Sequence, residues 1–507
     1  MSSLILPLTS EYTEFLRDES RRIGTADSIS FPESEAEIIE IVHKIRLLRQ
    51  TITLQGARTG IVAGAVPYSG HVLNLSRMKN ISKPSYDKQA NGCYRITVQP
   101  GVLLSEVREV LDKEGLFFPP DPTETSCSIG GMVACNASGA LTFRYGSTRD
   151  WVHRLRLVLS DGDIIDIERG KTFAHRRSFS IRTENCRVIE GQLPSYIMPK
   201  TKSAAGYYVA DNMDMVDLFI GMEGTLGIVT EIELKVIPKP SVIHGLTVFL
   251  PSQDAALKLV RHLRGEAIEG LTPPPISPVA IEFFDSRALD LIRKVKTEHS
   301  AFEKIPALKP HYHTAVYAEF HGKSEQTLEE ATMQMMEVVV ALGGSDEDTW
   351  YATTPRELEP IKAFRHAVPE AVNLLIDERK RHTPGITKLG TDMSVPDEYL
   401  EAVVELYEAD LDANNLDSVK FGHIGNNHIH VNILPHTLSE YELGKSLYLS
   451  WAQKVVEWGG SVSAEHGIGK LKVPLLEIMY GKKGIEEMRA LKALFDPDMI
   501  LNPGNLF

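Results

Sequence analysis

Cysteine is scarce in this sequence: four occur in 507 residues, at positions 93, 127, 135 and 186. None forms a C-x-x-C pair, which argues against a zinc ribbon or a cysteine-ligated iron–sulfur cluster. So few cysteines in so long a chain are typical of a reducing compartment. The sequence also lacks a basic leader with a long apolar run, so we expect no signal peptide and no transmembrane helix. We therefore predict a cytoplasmic protein and leave a peripheral association with a membrane open.

Basic residues are also in deficit, because 54 lysines and arginines face 68 aspartates and glutamates. The formal net charge of −14 argues against non-specific binding of nucleic acid or of an anionic lipid surface. An anionic substrate would need a local cluster of cations. The chain length predicts two or three domains.

The order of apolar runs and breakers predicts an α+β protein. Strands and amphipathic helices alternate up to about residue 237, and two prolines around Lys239 indicate a boundary. We expect an N-terminal segment (1–30), a first domain (31–240) and a second α+β domain with an antiparallel sheet and a helical C-terminal segment (241–507). Residues 168–206 are polar and interrupt the first domain, so we interpret them as a surface excursion.

Three glycine-rich loops stand out, and neither a G-K-[ST] P-loop nor a G-x-G-x-x-G fingerprint accompanies them. Residues 55–67 read QGARTGIVAGAVP, residues 119–139 contain CSIGG and CNASG, and residues 221–238 begin GMEGTLGI. Glycine lets backbone N–H groups approach a phosphate closely. A structural turn would explain the first loop equally well, but two such loops suit a long ligand with a central pyrophosphate.

Histidines are concentrated in one short segment. Residues 421–434 read FGHIGNNHIHVNIL, and SAEHGIGKLK follows at 463–472. Three imidazoles within eight residues and a later carboxylate have the spacing and the donor types of a site for Zn²⁺, Mn²⁺ or Fe²⁺. The simpler interpretation, histidines that satisfy ordinary polar contacts, stays open on the residues alone.

Taken in order, these motifs resemble a known family over roughly residues 30–507. RTGIVAGAVP, PPDPTETSCSIGG, CNASG, YGSTRD and GMEGTLGI are similar to the two-subdomain PCMH-type FAD-binding domain of vanillyl-alcohol-oxidase flavoproteins. The resemblance is closest to the branch of D-lactate dehydrogenase, the glycolate oxidase flavin subunit and D-2-hydroxyglutarate dehydrogenase. It implies that the second domain carries the substrate and a metal.

The resemblance implies an FAD site in which residues 58–65 wrap the pyrophosphate and Ile228 presents backbone atoms to the adenine half. Because the first loop holds no histidine or cysteine before His71, we expect the FAD to be non-covalent. The residues implied to bind FAD are Arg58, Thr59, Gly60, Ala63, Gly64, Ala65, Pro120, Ser126, Gly130, Gly131, Asn136, Ala137, Gly139, Ile228 and Asn502.

The same resemblance implies a divalent metal held by His423, His430 and Glu465, with His466 as the general base. It implies that Arg365, Lys388 and Asn432 bind the substrate. The chain departs from the family at the centre of the first histidine motif, where Asn426-Asn427-His428 replaces Asp-Gly-Asn. This change adds a possible fourth nitrogen ligand, and it leaves the metal's identity and even a metal-free site open.

The expected activity is FAD-dependent oxidation of a small D-2-hydroxy acid to the 2-keto acid, with D-lactate first among the candidates. The electrons would pass to an external acceptor: an electron-transferring flavoprotein, an iron–sulfur subunit, a cytochrome or a quinone. Two alternatives stay open, an FAD transferase like alkyl-dihydroxyacetonephosphate synthase and a non-catalytic flavin subunit of a larger complex. A homodimer is also left open.

Overall fold

A computed structural model describes residues 4–88, 92–268, 270–271 and 274–507. The expected segment 1–30 therefore includes three residues, 1–3, outside the described part. The strands are β1 (Leu6–Pro7), β2 (Ser28–Ser30), β3 (Ile52–Gln55), β4 (His71–Asn74), β5 (Ser85–Tyr86), β6 (Tyr94–Val98), β7 (Leu116–Phe117), β8 (Val152–Val158), β9 (Ile164–Glu168), β10 (Ser178–Arg182), β11 (Val188–Gln192), β12 (Ile228–Pro238), β13 (Val242–Leu250), β14 (Ala280–Phe284), β15 (Thr314–Gly322), β16 (Trp350–Ala352), β17 (Leu389–Gly390), β18 (Ser418–Gly422) and β19 (His430–Ile433). The α-helices are α1 (Glu35–Leu47), α2 (Leu104–Lys113), α3 (Ile129–Cys135), α4 (Thr142–Tyr145), α5 (Thr148–Trp151), α6 (Gln253–Leu263), α7 (Ser286–Glu298), α8 (Glu325–Ala341), α9 (Pro355–His382), α10 (Leu400–Ala413), α11 (Leu438–Glu457) and α12 (Val473–Phe495).

The first half of the chain forms two larger sheets and the two-stranded sheet of β10 and β11. The smaller of the two larger sheets has the order β1-β2-β4-β3, in which β4 pairs in parallel with both β2 and β3. Helix α1 packs into the core beside this sheet because its apolar residues recur at helical spacing: Ile38, Ile41, Val42 and Ile45 are fully buried. The Ser34 hydroxyl caps its first turn.

The larger sheet is antiparallel, with the order β5-β6-β12-β8-β9 and β7 paired to the end of β12. Strand β12 alternates buried and partly exposed residues, so that Ile232, Leu234 and Val236 pack into the same core as α2. The expected hairpin of β8 and β9 forms, and Gly162 adopts the positive φ of 86° that its turn requires.

Residues 168–206 are not the surface excursion that the sequence indicated. Strands β10 and β11 form a hairpin whose inward side chains are buried, and Phe179 stacks on Phe495 of α12 at 6.0 Å. Tyr196 stacks on Tyr480 of the same helix at 4.0 Å. The segment reads as polar because only alternate residues of the hairpin face the core.

The second half of the chain is built on one antiparallel sheet with the order β16-β13-β15-β14-β18-β19-β17. Helices cover both of its faces. In β15, Val316 and Ala318 belong to the core shared with α6 and α8, whereas Ala315 and Tyr317 belong to the core shared with α7 and α9. Burial on both faces explains why these strands read as continuous apolar runs.

The C-terminal segment leaves the second domain and returns to the first. Helix α12, which bends at Gly481, packs against the β10–β11 hairpin, and Leu501 then forms a parallel bridge with Ile52 of β3. The α+β prediction is confirmed, and the residues after α12 pack against strand β3 of the first domain. Within the described residues, no helix is long and apolar enough to cross a membrane.

Candidate functional site

The glycine-rich loops of the first domain contact one another and two later segments; we call these residues the cradle (residues 56–66, 126–139, 221–228, 465–469 and 502–505). The first two loops touch: an added Cβ at Gly56 would lie 2.1 Å from the Ser128 hydroxyl. Ser128 also caps α3, which begins inside the second loop. The backbones therefore approach so closely that Gly56 has no room for a side chain.

Glu223 connects two of the segments that form the cradle. Its carboxylate accepts hydrogen bonds of 2.7 Å from the backbone N–H groups of Ile468 and Gly469. Burial raises the pKa of Glu223 to about 7, although these two bonds favour the charged form. Asn502 adds a second link, because its amide accepts from Leu54 N–H at 2.6 Å and donates to the Glu223 carbonyl at 2.7 Å.

The cradle fits a pyrophosphate. Arg58 has a positive φ of 61°, and its buried Nη1 finds no hydrogen-bond partner among the described residues. Gly60 faces open space, since a Cβ there would meet no described atom within 4 Å. An unpaired guanidinium nitrogen beside a loop of exposed backbone is the arrangement that anionic phosphate oxygens satisfy.

The other residues predicted to bind FAD lie on or beside this surface, and their roles stay predictions. Gly139 has a φ of 155° and lies against the Asp121 carbonyl, where a Cβ would come within 1.8 Å. Ile228 begins β12 and is fully buried. The remaining members share small side chains or loop positions: Thr59, Ala63, Gly64, Ala65, Pro120, Ser126, Gly130, Gly131, Asn136 and Ala137.

A cluster of histidines and carboxylates adjoins the cradle; we call His423, His428, His430, Asp392, Glu465 and His466 the cluster. The turn between β18 and β19 supplies the first three residues. His423 Nδ1 lies 2.7 Å from a Glu282 carboxylate oxygen, and His430 Nδ1 lies 2.9 Å from the Thr391 carbonyl. Each Nδ1 must therefore carry the proton.

The opposite ring nitrogens converge on one carboxylate. The Nε2 atoms of His423 and His430 each lie 3.3 Å from an oxygen of Glu465. Burial opposes a charge on His423, but the carboxylates of Glu282 and Glu465 outweigh it and raise its pKa to about 9. Two imidazoles fixed by acceptors on Nδ1 and aimed at a carboxylate form a metal-binding arrangement with its supporting hydrogen bonds in place.

Lys202 enters the cluster from the segment that follows the β10–β11 hairpin. Its ammonium lies 2.7 Å from Glu465 Oε2 and 3.4 Å from His428 Nδ1, and its side chain is 5% exposed. The Ser138 hydroxyl, from the second loop of the cradle, donates to the same Glu465 oxygen at 3.2 Å. Glu465 therefore connects the cradle to the cluster.

Asp392 organises the loop that carries Glu465 and His466. Its fully buried carboxylate accepts from the backbone N–H of both residues, from the Ser463 hydroxyl and from the Lys472 ammonium. His466 Nδ1 lies 3.4 Å from the same carboxylate. Burial lowers the pKa of His466 to about 4, although the Asp392 carboxylate favours the charged form.

The residues predicted to bind substrate do not all meet. Arg365 is buried on α9, pairs with Asp121 at 3.3 Å, and has one guanidinium nitrogen without a partner among the described residues. Lys388 has Arg21 and Asp377 as its charged neighbours instead of the cluster. Asn432 lies on β19 opposite Gly390, two residues beyond His430.

A cavity of about 180 Å³ lies beside the cradle and next to Lys202 and Ala464, which are neighbours of the cluster. Asn136 and Ser138 of the cradle line it, together with Lys202, Ala464 and Asp150. Most of the lining side chains are small, and Lys202 and Asp150 are the charged ones.

The donor set of the cluster fits a divalent metal. His423, His428, His430 and Glu465 place one ligand atom each within 4.8 Å of one another, and three of the four donors are imidazole nitrogens. Nitrogen and carboxylate donors together suit Zn²⁺, Fe²⁺ or Mn²⁺.

Two protein families match the chain. The family described as "FAD linked oxidases, C-terminal domain" matches residues 239–506, and the one described as "FAD binding domain" matches residues 26–168. The chain belongs to the FAD-linked oxidase family. The predicted resemblance is confirmed, and the matching FAD binding domain supports FAD as the cofactor.

Relatives and solved structures agree with this assignment. The chain is 30% identical to D-lactate dehydrogenase of Anaerostipes hadrus over 97% of this chain and 92% of that protein. It is 29% identical to glycolate oxidase subunit GlcD of Bacillus subtilis (95% and 89% of the two chains) and 29% identical to D-2-hydroxyglutarate dehydrogenase of Xanthomonas citri (95% and 89%).

Among solved structures, 4-ethylphenol oxidase from Gulosibacter chungangensis has a TM-score of 0.66, with 99% of this chain and 94% of that chain covered. Alkyldihydroxyacetonephosphate synthase has the same score and covers 99% and 82%. Both are 16% identical to this chain, so they confirm the PCMH-type fold. A shared fold at this identity does not indicate which reaction this enzyme catalyses.

Sequence reasoning missed one residue of the cluster, Asp392, and two of its neighbours, Lys202 and Glu282. Lys202 lies inside the segment 168–206 that was interpreted as a surface excursion, and Glu282 lies inside a strand that reads as wholly apolar apart from this residue. A lone buried carboxylate in such a strand was the available signal, because a charge is rarely buried without a partner. Nothing in the sequence indicated that Lys202 reaches Glu465.

Proposed function

We propose that this enzyme oxidises a small D-2-hydroxy acid, with D-lactate as the first candidate, to the corresponding 2-keto acid. The observation that carries the proposal is Glu465, which contacts Ser138 of the cradle, Lys202 and two histidines at once. A substrate held there lies beside the cofactor site. Relatives named for D-lactate, glycolate and D-2-hydroxyglutarate support a 2-hydroxy acid as the substrate class.

Two groups that bind to the protein would supply part of the chemistry. Bound FAD would supply an acceptor for a hydride, and a divalent metal, which His423, His430 and Glu465 would hold, would make a bound hydroxyl more acidic. His466 takes the hydroxyl proton: its Nδ1 faces Asp392, which leaves Nε2 as the acceptor, and its ring stacks on His430 at 5.3 Å. The substrate loses one hydride from C2 and one proton from oxygen, which balances the product as a 2-keto acid.

Two buried cations suit the substrate carboxylate. Arg365 has a guanidinium nitrogen without a partner among the described residues, and Lys202 presents an ammonium at the cavity. In a chain of net charge −14 such a local pair is what an anionic substrate needs. We propose Lys202 in place of Lys388, since the charged neighbours of Lys388 are Arg21 and Asp377.

The reduced FAD must be reoxidised by an external acceptor, because the four cysteines are too few and too scattered for an electron-transfer cluster within the chain. The proposed acceptors remain an electron-transferring flavoprotein, an iron–sulfur subunit, a cytochrome or a quinone.

Anaerobic reduction of the bound flavin tests the proposal. The purified FAD enzyme is mixed with D-lactate, glycolate, D-2-hydroxyglutarate and, as the mirror-image control, L-lactate, and the flavin absorbance is followed. We expect D-lactate to bleach the flavin fastest and L-lactate to leave it oxidised. Faster bleaching by another D-hydroxy acid would overturn only the choice of D-lactate, whereas no bleaching by any of them would overturn the proposed function.

A further inference from the structure

His428 is the one histidine of the turn to which the family resemblance gives no role. It is fully buried, and its two ring nitrogens face different partners. Nε2 lies 3.1 Å from an oxygen of Asp392, and Nδ1 lies 3.4 Å from the Lys202 ammonium.

The contact with Lys202 fixes the position of the ring proton. An ammonium can only donate hydrogen bonds, so Nδ1 beside Lys202 is the acceptor, and the proton of the neutral ring is on Nε2. Nε2 lies near the Asp392 carboxylate but makes no hydrogen bond with a described residue. The lone pair of His428 therefore points from Nδ1 towards a position that already attracts a cation.

The backbone holds His428 in this orientation. Asn427 adopts the left-handed conformation with φ 51°, and its side chain donates to Asp397 at 2.6 Å. His428 itself forms an antiparallel bridge with Ser394. Ser394 lies three residues after Thr391, whose carbonyl contacts His430. The turn is therefore anchored before any ligand binds, which reduces the cost of placing a third imidazole.

We propose that His428 is a fourth protein ligand of the metal and binds through Nδ1, so that the site consists of three imidazoles and one carboxylate. The proposal rests on the metal site proposed above. Its support is the convergence of the four ligand atoms within 4.8 Å and the contact with Lys202, which makes Nδ1 of His428 the acceptor. Asp392 is then a positioning residue for two imidazoles, because its carboxylate faces Nε2 of His428 and Nδ1 of His466.

A third imidazole changes which metal the site prefers. Each nitrogen donor in place of oxygen favours Zn²⁺ over Mn²⁺, which prefers carboxylate and water. We therefore expect the wild-type protein to bind Zn²⁺ in preference to Mn²⁺ and the His428→Asn variant to lose much of that preference.

Zinc itself is the probe. The FAD-loaded protein is loaded with Zn²⁺, and X-ray absorption at the zinc edge counts the imidazoles bound, while competition with a chelator gives the dissociation constant. We expect three imidazoles in the wild type and two in His428→Asn, with affinity reduced by about 10–100-fold. His244→Asn is the matched control, because His244 is also fully buried and pairs with a carboxylate, Glu325, outside the cluster.

The outcomes separate this inference from the one on which it rests. Two imidazoles in the wild type, with zinc affinity unchanged in His428→Asn, would overturn the fourth ligand and leave the site of His423, His430 and Glu465 standing. Failure of the FAD-loaded wild type to bind stoichiometric Zn²⁺ would overturn both. If His428→Asn does not fold with FAD, His428→Gln and the wild-type imidazole count decide the question.

Discussion

The cradle and the cluster lie side by side, and Ser138 joins them through Glu465, but they are built in opposite ways. The cradle is made of backbone: glycines such as Gly56 and Gly139 stand where a side chain would collide with a neighbouring loop. The cluster is made of side chains that arrive from the β18–β19 turn, the segment after β17 and the 465–469 loop. A site made of backbone tolerates few changes of shape, whereas a site made of side chains tolerates few changes of chemistry. Substitutions in the cradle should therefore reduce FAD affinity and stability, whereas substitutions in and around the cluster should change kcat or KM.

The largest effect is expected in the cluster, from His466→Ala. Removal of the general base should lower kcat by about 10²–10⁴-fold, because no other group replaces the proton acceptor. FAD and metal content should stay at wild-type levels, as measured by absorbance and metal analysis. His436→Ala is the control, an exposed histidine that pairs with Asp417 outside the cluster. Full turnover in His466→Ala would show that another group takes the proton.

The next effect concerns the cations at the cavity. Arg365→Met and Lys202→Met should each remove one charged hydrogen bond to the substrate, worth about 1.5–3 kcal/mol, and so raise KM with FAD still bound. Lys388→Met is the matched comparison and should leave KM nearly unchanged, since its charged neighbours are Arg21 and Asp377. A larger rise in KM for Lys388→Met than for Lys202→Met would restore the assignment made from the sequence.

In the cradle, Gly139→Ala should weaken FAD binding through backbone strain and a steric clash. Its φ of 155° is strained for any other residue, and the new Cβ would lie 1.8 Å from the Asp121 carbonyl. Strain of this kind costs about 1–3 kcal/mol, so FAD affinity and the free energy of unfolding should fall together. Gly115→Ala is the control: its φ is also positive, but no described atom lies near its Cβ. FAD retention in Gly139→Ala equal to that in the control would place the cofactor away from this loop.

The last prediction concerns the attachment of FAD, which we expect to be non-covalent. Acid precipitation should therefore release all of the yellow colour into the supernatant. The FAD is expected to be non-covalent because the first loop offers no tethering residue and His71 is buried on β4 with its Nδ1 at Ser28. Burial also raises the pKa of Cys127 to about 12, which leaves that thiol unreactive. Colour that stays in the pellet would contradict this prediction.

The sequence predicted the cradle better than the cluster. Loops that bind through backbone need glycines at fixed positions, so the motifs around Gly60, Gly130 and Gly224 are visible in a linear chain. The hairpin at 168–206 was missed because half of its residues face solvent and dilute the apolar signal. Lys202 was missed for a related reason, since its partner Glu465 is 263 residues away in sequence.

The sequence by itself determined the family, the cofactor, the mixed α+β architecture and the presence of histidines at metal-site spacing, because each depends on local patterns of glycine, apolar period or donor type. Only the tertiary structure decided which nitrogen of each imidazole faces the cluster, that Asp392 fixes two of the rings, and that Lys202 rather than Lys388 lies at the cavity. Those facts depend on side chains brought together from distant strands and loops. The packing of two domains against one shared C-terminal helix sets such distances, and no local pattern records them.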